Sequence, residues 1–296
     1  MADSAQRPAA APQQPRRGIM ESVGAAFSTV WSAGMEGQRG AIERLGAGVL
    51  SITEAVGHDT LLLLRSVAWS RSIFRKGREI LRQMFLCGVM SFPVVVLVSI
   101  FAGAVLALQA GLTIRPYGIA SKIGAIVAAS MTREMGPIMA ALILAGRVGS
   151  SMAAELGTMR VSEEIDALEA MSIDPVRFLV MPRIVAMFVM APVLTVFADL
   201  IGVLGGAVVA YYQVGVTYHS YFAEAENVLV LTDLNSSVLK AMVFGILIAL
   251  VGCGRGLRAK SSAEGVGKAT KDSVVASFIL IIIFNYLITS IVREFY

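Results

Sequence analysis

A run of 29 residues without one charged side chain, from about Met84 to Leu112, constrains this chain more than any other feature of its sequence. About 20 apolar residues let a helix cross the hydrocarbon core of a bilayer, so this run is long enough to span with some tilt. Four further apolar stretches follow, at about Ile123–Ala154, Ile184–Val216, Val238–Cys253 and Val274–Val292. The sequence therefore predicts an all-α integral membrane protein with five transmembrane helices.

Composition agrees with a membrane domain and excludes several other classes of protein. Hydrophobic residues make up 56% of the 296 residues and charged residues 16%, whereas soluble domains are roughly 45–50% apolar and about 25% charged. Typical cytosolic enzymes, disordered proteins and collagen-like fibres are therefore excluded. The two cysteines and two histidines are too few and too scattered to predict a disulfide framework or a metal site.

The residues before the charge-free run fall into three segments. Residues 1–18, rich in Ala, Pro, Gln and Arg, predict a disordered tail, and 19–60 predict an amphipathic extension, either helical on the membrane or loosely ordered. In 61–83, apolar residues alternate with basic ones, which predicts an amphipathic interfacial helix on an anionic leaflet. A membrane span follows at once, so we expect no nucleic acid as partner. The transmembrane domain is predicted over 84–296.

Basic residues are distributed unevenly between the segments that connect the spans. Lys and Arg number fourteen on one side of the membrane and three on the other. The basic side comprises 65–82, 155–183 and 254–272, and the other side comprises 113–122, 217–236 and 293–296. Because segments rich in Lys and Arg stay in the cytoplasm, we predict a cytoplasmic N-terminus and a C-terminus on the outer side.

Charged residues inside the apolar stretches are the candidates for function. Arg133 and Glu134 precede Gly136 and Pro137, and charges at membrane depth usually face a cavity or a partner. Proline disfavours helix at the residue before it, so a helix break beside this charged pair predicts a cavity wall. Alternatively, the pair caps a helix near the membrane surface. Asp199 is an isolated acid that could hydrogen-bond within the bundle.

Small residues recur every four positions in the second apolar stretch, which predicts close helix packing. This packing could be intramolecular or between two copies of the chain. The residues are Ala141, Ala145, Gly149, Ala153 and Gly157, with a similar series upstream from Gly124.

The segment 158–171 predicts a short amphipathic helix on the cytoplasmic side. Its apolar positions alternate with an acidic face formed by Glu163, Glu164, Asp166 and Glu169. Anionic lipid headgroups would repel this face, so a protein partner explains it better than a membrane surface does; a solvated helix is the alternative. Asp174-Pro175 then predicts a new helix start.

We expect no catalytic site in this chain. Residues 265–270 briefly resemble a phosphate-binding loop, but such a loop needs Gly at 262 and Ser or Thr at 269, where this chain has Ser262 and Ala269. Any energy from ATP must therefore come from a separate subunit.

The order of these motifs resembles that of the MlaE/YrbE permeases over roughly residues 60–296. The resemblance rests on Arg133-Glu134-Met135-Gly136-Pro137, Ala145-Gly146-Arg147-Val148-Gly149-Ser150, Ala154-Glu155-Leu156-Gly157, Met159-Arg160, Glu163-Glu164, Asp174-Pro175, Pro182-Arg183 and Ala263–Thr270. It implies an ATP-binding cassette (ABC) transporter permease of MlaE-type fold that moves phospholipids or related lipids across the cell envelope, from the bacterial inner membrane, with a periplasmic C-terminus.

The resemblance also implies partners and site residues. The permease would form a homodimer with a cytoplasmic ATPase that binds Mg-ATP, a periplasmic MCE-domain protein and often a STAS-domain protein. The segment 158–171, with Arg160 and its acidic residues, would dock on the ATPase. Gln109, Tyr117, Arg133, Glu134 and Asn285 would line a lipid cavity, although some relatives have an acid at the position of Asn285. Structural motif positions are Gly136, Pro137, Arg147, Gly149, Glu155 and Gly157.

Two other classes remain open from the residues alone. An ion-coupled secondary transporter would use buried titratable groups, for which Glu134 and Asp199 are candidates, but such folds usually show internal repeats and none is evident. A membrane scaffold would leave the charges of Arg133 and Glu134 unexplained.

Overall fold

The computed structural model of the chain describes Thr53 and residues 57–66 and 76–294. The chain divides into two units, 1–57 and 58–296, and the architecture below is that of the second. The predicted tail 1–18 lies outside the described residues, as does nearly all of the 19–60 extension. Of the predicted interfacial helix 61–83, residues 61–66 belong to a helix, residues 67–75 lie outside the described part, and residues from Gly77 onward are helical again.

Five helices are long and apolar enough to cross a membrane, which confirms the predicted five-span, all-α fold. No strand occurs among the described residues. The spans are span 1 (Gly77–Tyr117), span 2 (Ala120–Val161), span 3 (Val176–Val214), span 4 (Leu231–Leu257) and span 5 (Ala263–Glu294). Each span begins before the apolar stretch that predicts it, and all but span 3 also end after it, because polar and charged residues continue the helices; span 3 ends at Val214, two residues before the end of its stretch.

Several spans are composite helices in which α-helical segments are joined by π-helical turns. The α-helices of this unit are α1 (58–66), α2 (Gly77–Met84), α3 (Phe92–Ile114), α4 (Ile123–Ser130), α5 (Gly136–Leu144), α6 (Ser150–Val161), α7 (Glu164–Ala170), α8 (Met181–Val209), α9 (Tyr218–Val228), α10 (Leu231–Leu257) and α11 (Ala263–Glu294). The π-helical turns in the described spans are Phe85–Val89, Met131–Met135, Ala145–Gly149, Val176–Val180 and Ala210–Val214.

The alternating crossings give the bundle two ends. The short helix α7 lies between spans 2 and 3, and the turn at 258–262 joins spans 4 and 5; we call this the α7 end. Helix α9 lies between spans 3 and 4 and marks the opposite end, which we call the α9 end. Span 4 is the most buried of the five, whereas spans 1 and 5 are the least buried.

Close helix contacts depend on residues without bulky side chains. A Cβ added at Gly103 in span 1 would lie 1.8 Å from the carbonyl oxygen of Gly202 in span 3, far inside any real contact distance. The two backbones therefore touch, which is how helices gain van der Waals contact in lipid.

The small-residue series of span 2 is buried within the chain itself. Ala141, Ala145 and Ala153 are almost inaccessible, and a Cβ at Gly149 would meet Ile248 of span 4. Between the two interpretations of this series, the structure favours intramolecular packing. Any contact with a second copy must use other residues.

Helix α9 folds back over the bundle at its end. The Tyr221 side chain is fully buried, and its hydroxyl donates a 3.0 Å hydrogen bond to the carbonyl of Val203 in span 3. It packs in a core with Ile123, Val127 and Met131 of span 2. This packing places α9 beside the charged part of span 2.

Candidate functional site

Arg133 and Glu134 lie in the π-helical turn Met131–Met135 of span 2. The predicted break at Gly136 does not occur, since Pro137 sits in the first turn of α5 and the chain stays helical. Proline has no N–H to donate to the carbonyl four residues earlier, which is that of Arg133. The ammonium of Lys240 in span 4 donates to this carbonyl oxygen at 2.6 Å. The helix therefore continues through this region as a π-helical turn, and Lys240 supplies the hydrogen bond that Pro137 cannot make.

Glu134 binds three side chains from two other spans. Its carboxylate accepts hydrogen bonds from Lys240 Nζ at 3.0 Å, Asn285 Nδ2 at 2.8 Å and Thr289 Oγ1 at 2.9 Å. Lys240 is only 2% exposed. A buried ammonium is costly unless it is paired and hydrogen-bonded, so Glu134 and the Arg133 carbonyl make this position of Lys240 possible.

Arg133 makes a bidentate ion pair with Asp233 near the start of span 4. Its Nε and one terminal nitrogen donate to the two carboxylate oxygens at 2.8 and 3.0 Å. The Asp233 side chain is 6% exposed, whereas the Arg133 side chain is 51% exposed. Paired N–H donors fix the direction of the guanidinium, so Asp233 orients Arg133 toward open space.

That space is a cavity of about 430 Å³ between spans 2, 4 and 5, which we call the charged cavity. The cavity lies near the start of span 4 and the end of span 5. It is therefore in the half of the membrane domain toward the α9 end. Its lining is Arg133, Glu134, Asp233, Ser236, Lys240, Thr289, Val292 and Arg293.

An apolar groove of about 790 Å³ adjoins the charged cavity. Thr132 lines the groove while Arg133 lines the cavity, and Leu234 lines the groove while Asp233 lines the cavity. The π-helical turn and the first turns of span 4 therefore border both spaces. The groove is lined by Thr132, Val196, Asp199, Leu200, Val203, Leu204, Phe222, Ala225, Glu226, Leu229, Val230, Leu231 and Leu234.

Asp199 lies at the wall of this groove and close to span 2. Its Oδ2 accepts a 2.9 Å hydrogen bond from Ser237 of span 4, which agrees with the hydrogen bond expected within the bundle. A Cβ at Gly136 would lie 1.6 Å from Asp199 Oδ1. Glycine at 136 therefore makes room for this carboxylate.

The structure brings together three of the five predicted cavity residues. Arg133 and Glu134 line the charged cavity, and Asn285 bonds to Glu134. Gln109 and Tyr117 are exposed on span 1 and do not line the cavity. Asp233, Lys240 and Thr289 belong to the site but were missed. Lys240 could have been found by the rule that singled out Arg133, because it also lies in an apolar stretch.

The remaining motif positions of span 2 lie toward the α7 end. Arg147 is in the π-helical turn Ala145–Gly149 and is exposed on the surface of the single chain. Glu155 accepts a 2.9 Å hydrogen bond from Arg183 in span 3. Gly157 is buried against Val266 at the start of span 5.

The predicted helix over 158–171 consists of two elements. The helix α6 ends at Val161, and α7 begins at Glu164 after Glu163 adopts a left-handed backbone conformation with φ of 60°. Ile165 is buried and fixes α7 to the bundle. The side chains of Glu163, Glu164, Asp166 and Glu169 are exposed, and Arg160 pairs with Asp166.

A pocket of about 460 Å³ lies between α7 and the neighbouring ends of spans 2 and 3. Glu164 of α7 lines it together with Glu155 and Arg183, the pair that joins spans 2 and 3. Within the described part of the chain, no three His, Cys, Asp or Glu side chains come together as metal ligands.

The chain is similar in sequence to known transporter subunits. The family described as Permease MlaE matches residues 80–291. A "Probable ABC transporter permease protein" of Rickettsia felis is 41% identical over 254 residues, covering 82% of this chain and 98% of the relative. The "Protein TRIGALACTOSYLDIACYLGLYCEROL 1, chloroplastic" of Arabidopsis thaliana is 32% identical over 242 residues, covering 81% and 67%.

A further relative carries the family name. The "Intermembrane phospholipid transport system permease protein MlaE" of Haemophilus influenzae is 30% identical over 251 residues, covering 84% of this chain and 96% of the relative. These matches favour an ABC permease over an ion-coupled secondary transporter or a scaffold. With five spans and the motifs of span 2 in place, the chain belongs to the MlaE family of ABC transporter permeases.

Proposed function

We propose that this chain is the permease subunit of an ABC transporter that moves phospholipids or related lipids between membranes of the cell envelope. The observation that carries the proposal is the charged cavity lying directly beside the apolar groove. A phospholipid joins an anionic headgroup to apolar chains, and these two neighbouring spaces match both parts. The Haemophilus relative is itself named for intermembrane phospholipid transport.

The headgroup would bind in the charged cavity. Arg133 and Arg293 both line it, and guanidinium groups bind phosphate oxygens through parallel N–H donors. The acyl chains would lie against the leucine and valine side chains of the groove. Because burial of apolar surface is favourable only where water is excluded, the chains would favour the groove over the charged cavity.

A second copy of the chain would complete the transport path. Arg147 lies within the apolar stretch of span 2, toward the α7 end, and is exposed on the single chain; an arginine that faces lipid within the membrane is costly. A homodimer removes this cost by facing Arg147 toward a partner or a water-filled cavity. The little-buried spans 1 and 5 offer further surface for such a contact.

A separate ATPase, which holds Mg-ATP, would bind at the α7 end. The exposed acidic side chains of α7 suit a protein partner, and Ile165 together with the Glu155–Arg183 pair would transmit its motion to spans 2 and 3. This end would be cytoplasmic in the bacterial inner membrane, as the distribution of Lys and Arg predicts. An MCE-domain protein would receive or deliver lipid at the periplasmic α9 end, and a STAS-domain protein is a further expected partner.

Reconstitution of the purified complex tests this function. The full-length chain, extracted with its partners, is placed in liposomes that contain a fluorescent phospholipid, and transfer to acceptor vesicles is followed. We expect transfer that requires ATP and a copurified ATPase and that does not respond to a proton gradient alone. Transfer driven by a proton gradient without ATP would contradict the proposal.

A further inference from the structure

A cluster of cations surrounds a surface pocket where span 1 and span 3 begin, at the α7 end. The pocket has a volume of about 710 Å³ and is lined by Lys76, Arg78, Glu79, Arg82 and Phe178. Glu79, the one acid among these residues, already accepts a 3.3 Å hydrogen bond from Gln83. The pocket therefore has an excess of positive charge.

Lys76 is held at this pocket by two contacts from span 3. Its ammonium donates a 3.1 Å hydrogen bond to the carbonyl of Arg177 and lies 4.4 Å from the centre of the Phe178 ring. Burial lowers the pKa of Lys76, and the nearby charge of Arg177 lowers it further. Two like charges brought together at a fixed position are stabilised when an anion binds between or beside them.

The surface next to these cations is apolar. On α2 and the turn that follows it, Arg78, Leu81, Arg82 and Phe85 are exposed at intervals of three and four residues, so they share one side of the helix. The opposite side, with Ile80 and Gln83, is buried. Cations alternate with large apolar side chains on the exposed side, and Phe178 is likewise 47% exposed. A soluble anion would use only the cations of this surface.

We infer that this pocket, which we call the basic pocket, is a binding site for the phosphodiester headgroup of an anionic phospholipid. Lys76, Arg78 and Arg82 bind the phosphate and the anionic headgroup, while Leu81, Phe85 and Phe178 lie along the first part of the acyl chains. Basic residues near a leaflet surface bind anionic lipids through such contacts. The site lies at the end of the bundle opposite to the charged cavity, so this lipid is a bound partner and not the transported molecule.

Lipid titration of the purified full-length chain, followed by native mass spectrometry, tests this site. The probes are phosphatidylglycerol, which is anionic, and phosphatidylcholine, which is zwitterionic. We expect the substitutions Lys76→Gln, Arg78→Gln and Arg82→Gln together to weaken phosphatidylglycerol binding by about tenfold or more. Phosphatidylcholine, whose choline cation offsets the charge of its phosphate, should lose less affinity than phosphatidylglycerol.

A matched control removes the same charge elsewhere at the same end. Three exposed lysines serve as this control: Lys260 in the turn at 258–262, and Lys268 and Lys271 at the start of span 5. Because they lie outside the pocket, their replacement by Gln should change phosphatidylglycerol binding by less than about twofold. An equal loss in this control would overturn the site, as general surface charge would then explain the binding.

Two further experiments test whether the loss of binding comes from misfolding and whether the ligand is a lipid or free phosphate. The pair Arg78→Gln and Arg82→Gln leaves the contacts of Lys76 intact, and it should weaken binding with no change in thermal stability; Lys at both positions should restore binding. Inorganic phosphate in large excess should leave the bound lipid in place. Displacement by phosphate, or unchanged lipid preference in the triple variant, would overturn the inference.

Discussion

The ammonium of Lys240 in span 4 lies 2.6 Å from the carbonyl oxygen of Arg133 in span 2, which is the carbonyl that Pro137 cannot serve. The same ammonium binds Glu134 at 3.0 Å. Lys240 therefore supplies the hydrogen bond missing at the Arg133 carbonyl and neutralises the charge of Glu134. This arrangement makes span 4 part of the charged cavity and leads to the first prediction.

Replacement of Lys240 by Met should destabilise the protein. The substitution leaves the Arg133 carbonyl without its donor, and an unsatisfied buried polar group costs about 1–3 kcal/mol. It also removes the cation of Glu134, whose side chain is 35% exposed and keeps the hydrogen bonds from Asn285 and Thr289. Unfolding in a denaturing detergent titration measures the loss. Arg160→Met, which breaks the exposed pair with Asp166, should cost about 1 kcal/mol or less. Equal losses in the two variants would refute the role of Lys240.

The variant Gly136→Ala should fold poorly because its Cβ would lie 1.6 Å from Asp199 Oδ1. Overpacking of this kind costs about 1–3 kcal/mol, and Asp199→Ala in the same chain should recover most of the loss. Gly267→Ala, where a Cβ would meet no heavy atom within 4 Å, should be neutral or slightly stabilising. The melting temperatures of the single variant, the double variant and the Gly267→Ala control are compared. A Gly136→Ala variant as stable as the control would contradict the close contact between Gly136 and Asp199.

The variant Arg133→Lys should lose transport while it keeps its fold. Lysine retains the charge but cannot make the two parallel N–H bonds to Asp233, so the cation is no longer directed into the charged cavity. We expect ATP-dependent phospholipid transfer to fall by about tenfold or more, since a hydrogen bond to a charged group contributes about 1.5–3 kcal/mol and a tenfold change corresponds to about 1.4 kcal/mol. Transfer at the rate of the unaltered protein would show that the direction of Arg133 does not matter.

Charge reversal on α7 should uncouple the permease from its ATPase. Glu163→Lys and Glu164→Lys together change the exposed acidic surface while Ile165 still fixes α7 to the bundle. We expect less ATPase to copurify and lipid transfer to be lost. Glu294→Lys reverses an exposed acid at the α9 end and should leave both unchanged. Undiminished copurification in the α7 variant would exclude this surface as the docking site.

Much of the fold could be predicted because apolar length alone decides where a helix crosses a membrane. The ends of the spans were harder to predict from apolar length. Asp233, for example, is a charged residue that lies within span 4 because it is paired with Arg133. Pairing across about a hundred positions, such as Arg133 with Asp233, leaves no local pattern in the sequence. The cost of charge at membrane depth did identify Arg133 and Glu134, whereas Gln109 and Tyr117 came from the family resemblance alone and lie outside the charged cavity.

Photo-crosslinking from the charged cavity tests most directly whether it holds a lipid. A photoreactive amino acid replaces Ser236, which lines the cavity, and a second variant carries it at Val275, an exposed position on span 5 that does not line the cavity. In the assembled complex we expect phospholipid adducts at 236 that decrease during ATP hydrolysis, and adducts at 275 that do not respond to ATP. Adducts at 236 that are absent, or that are as insensitive to ATP as those at 275, would contradict lipid transport through this cavity.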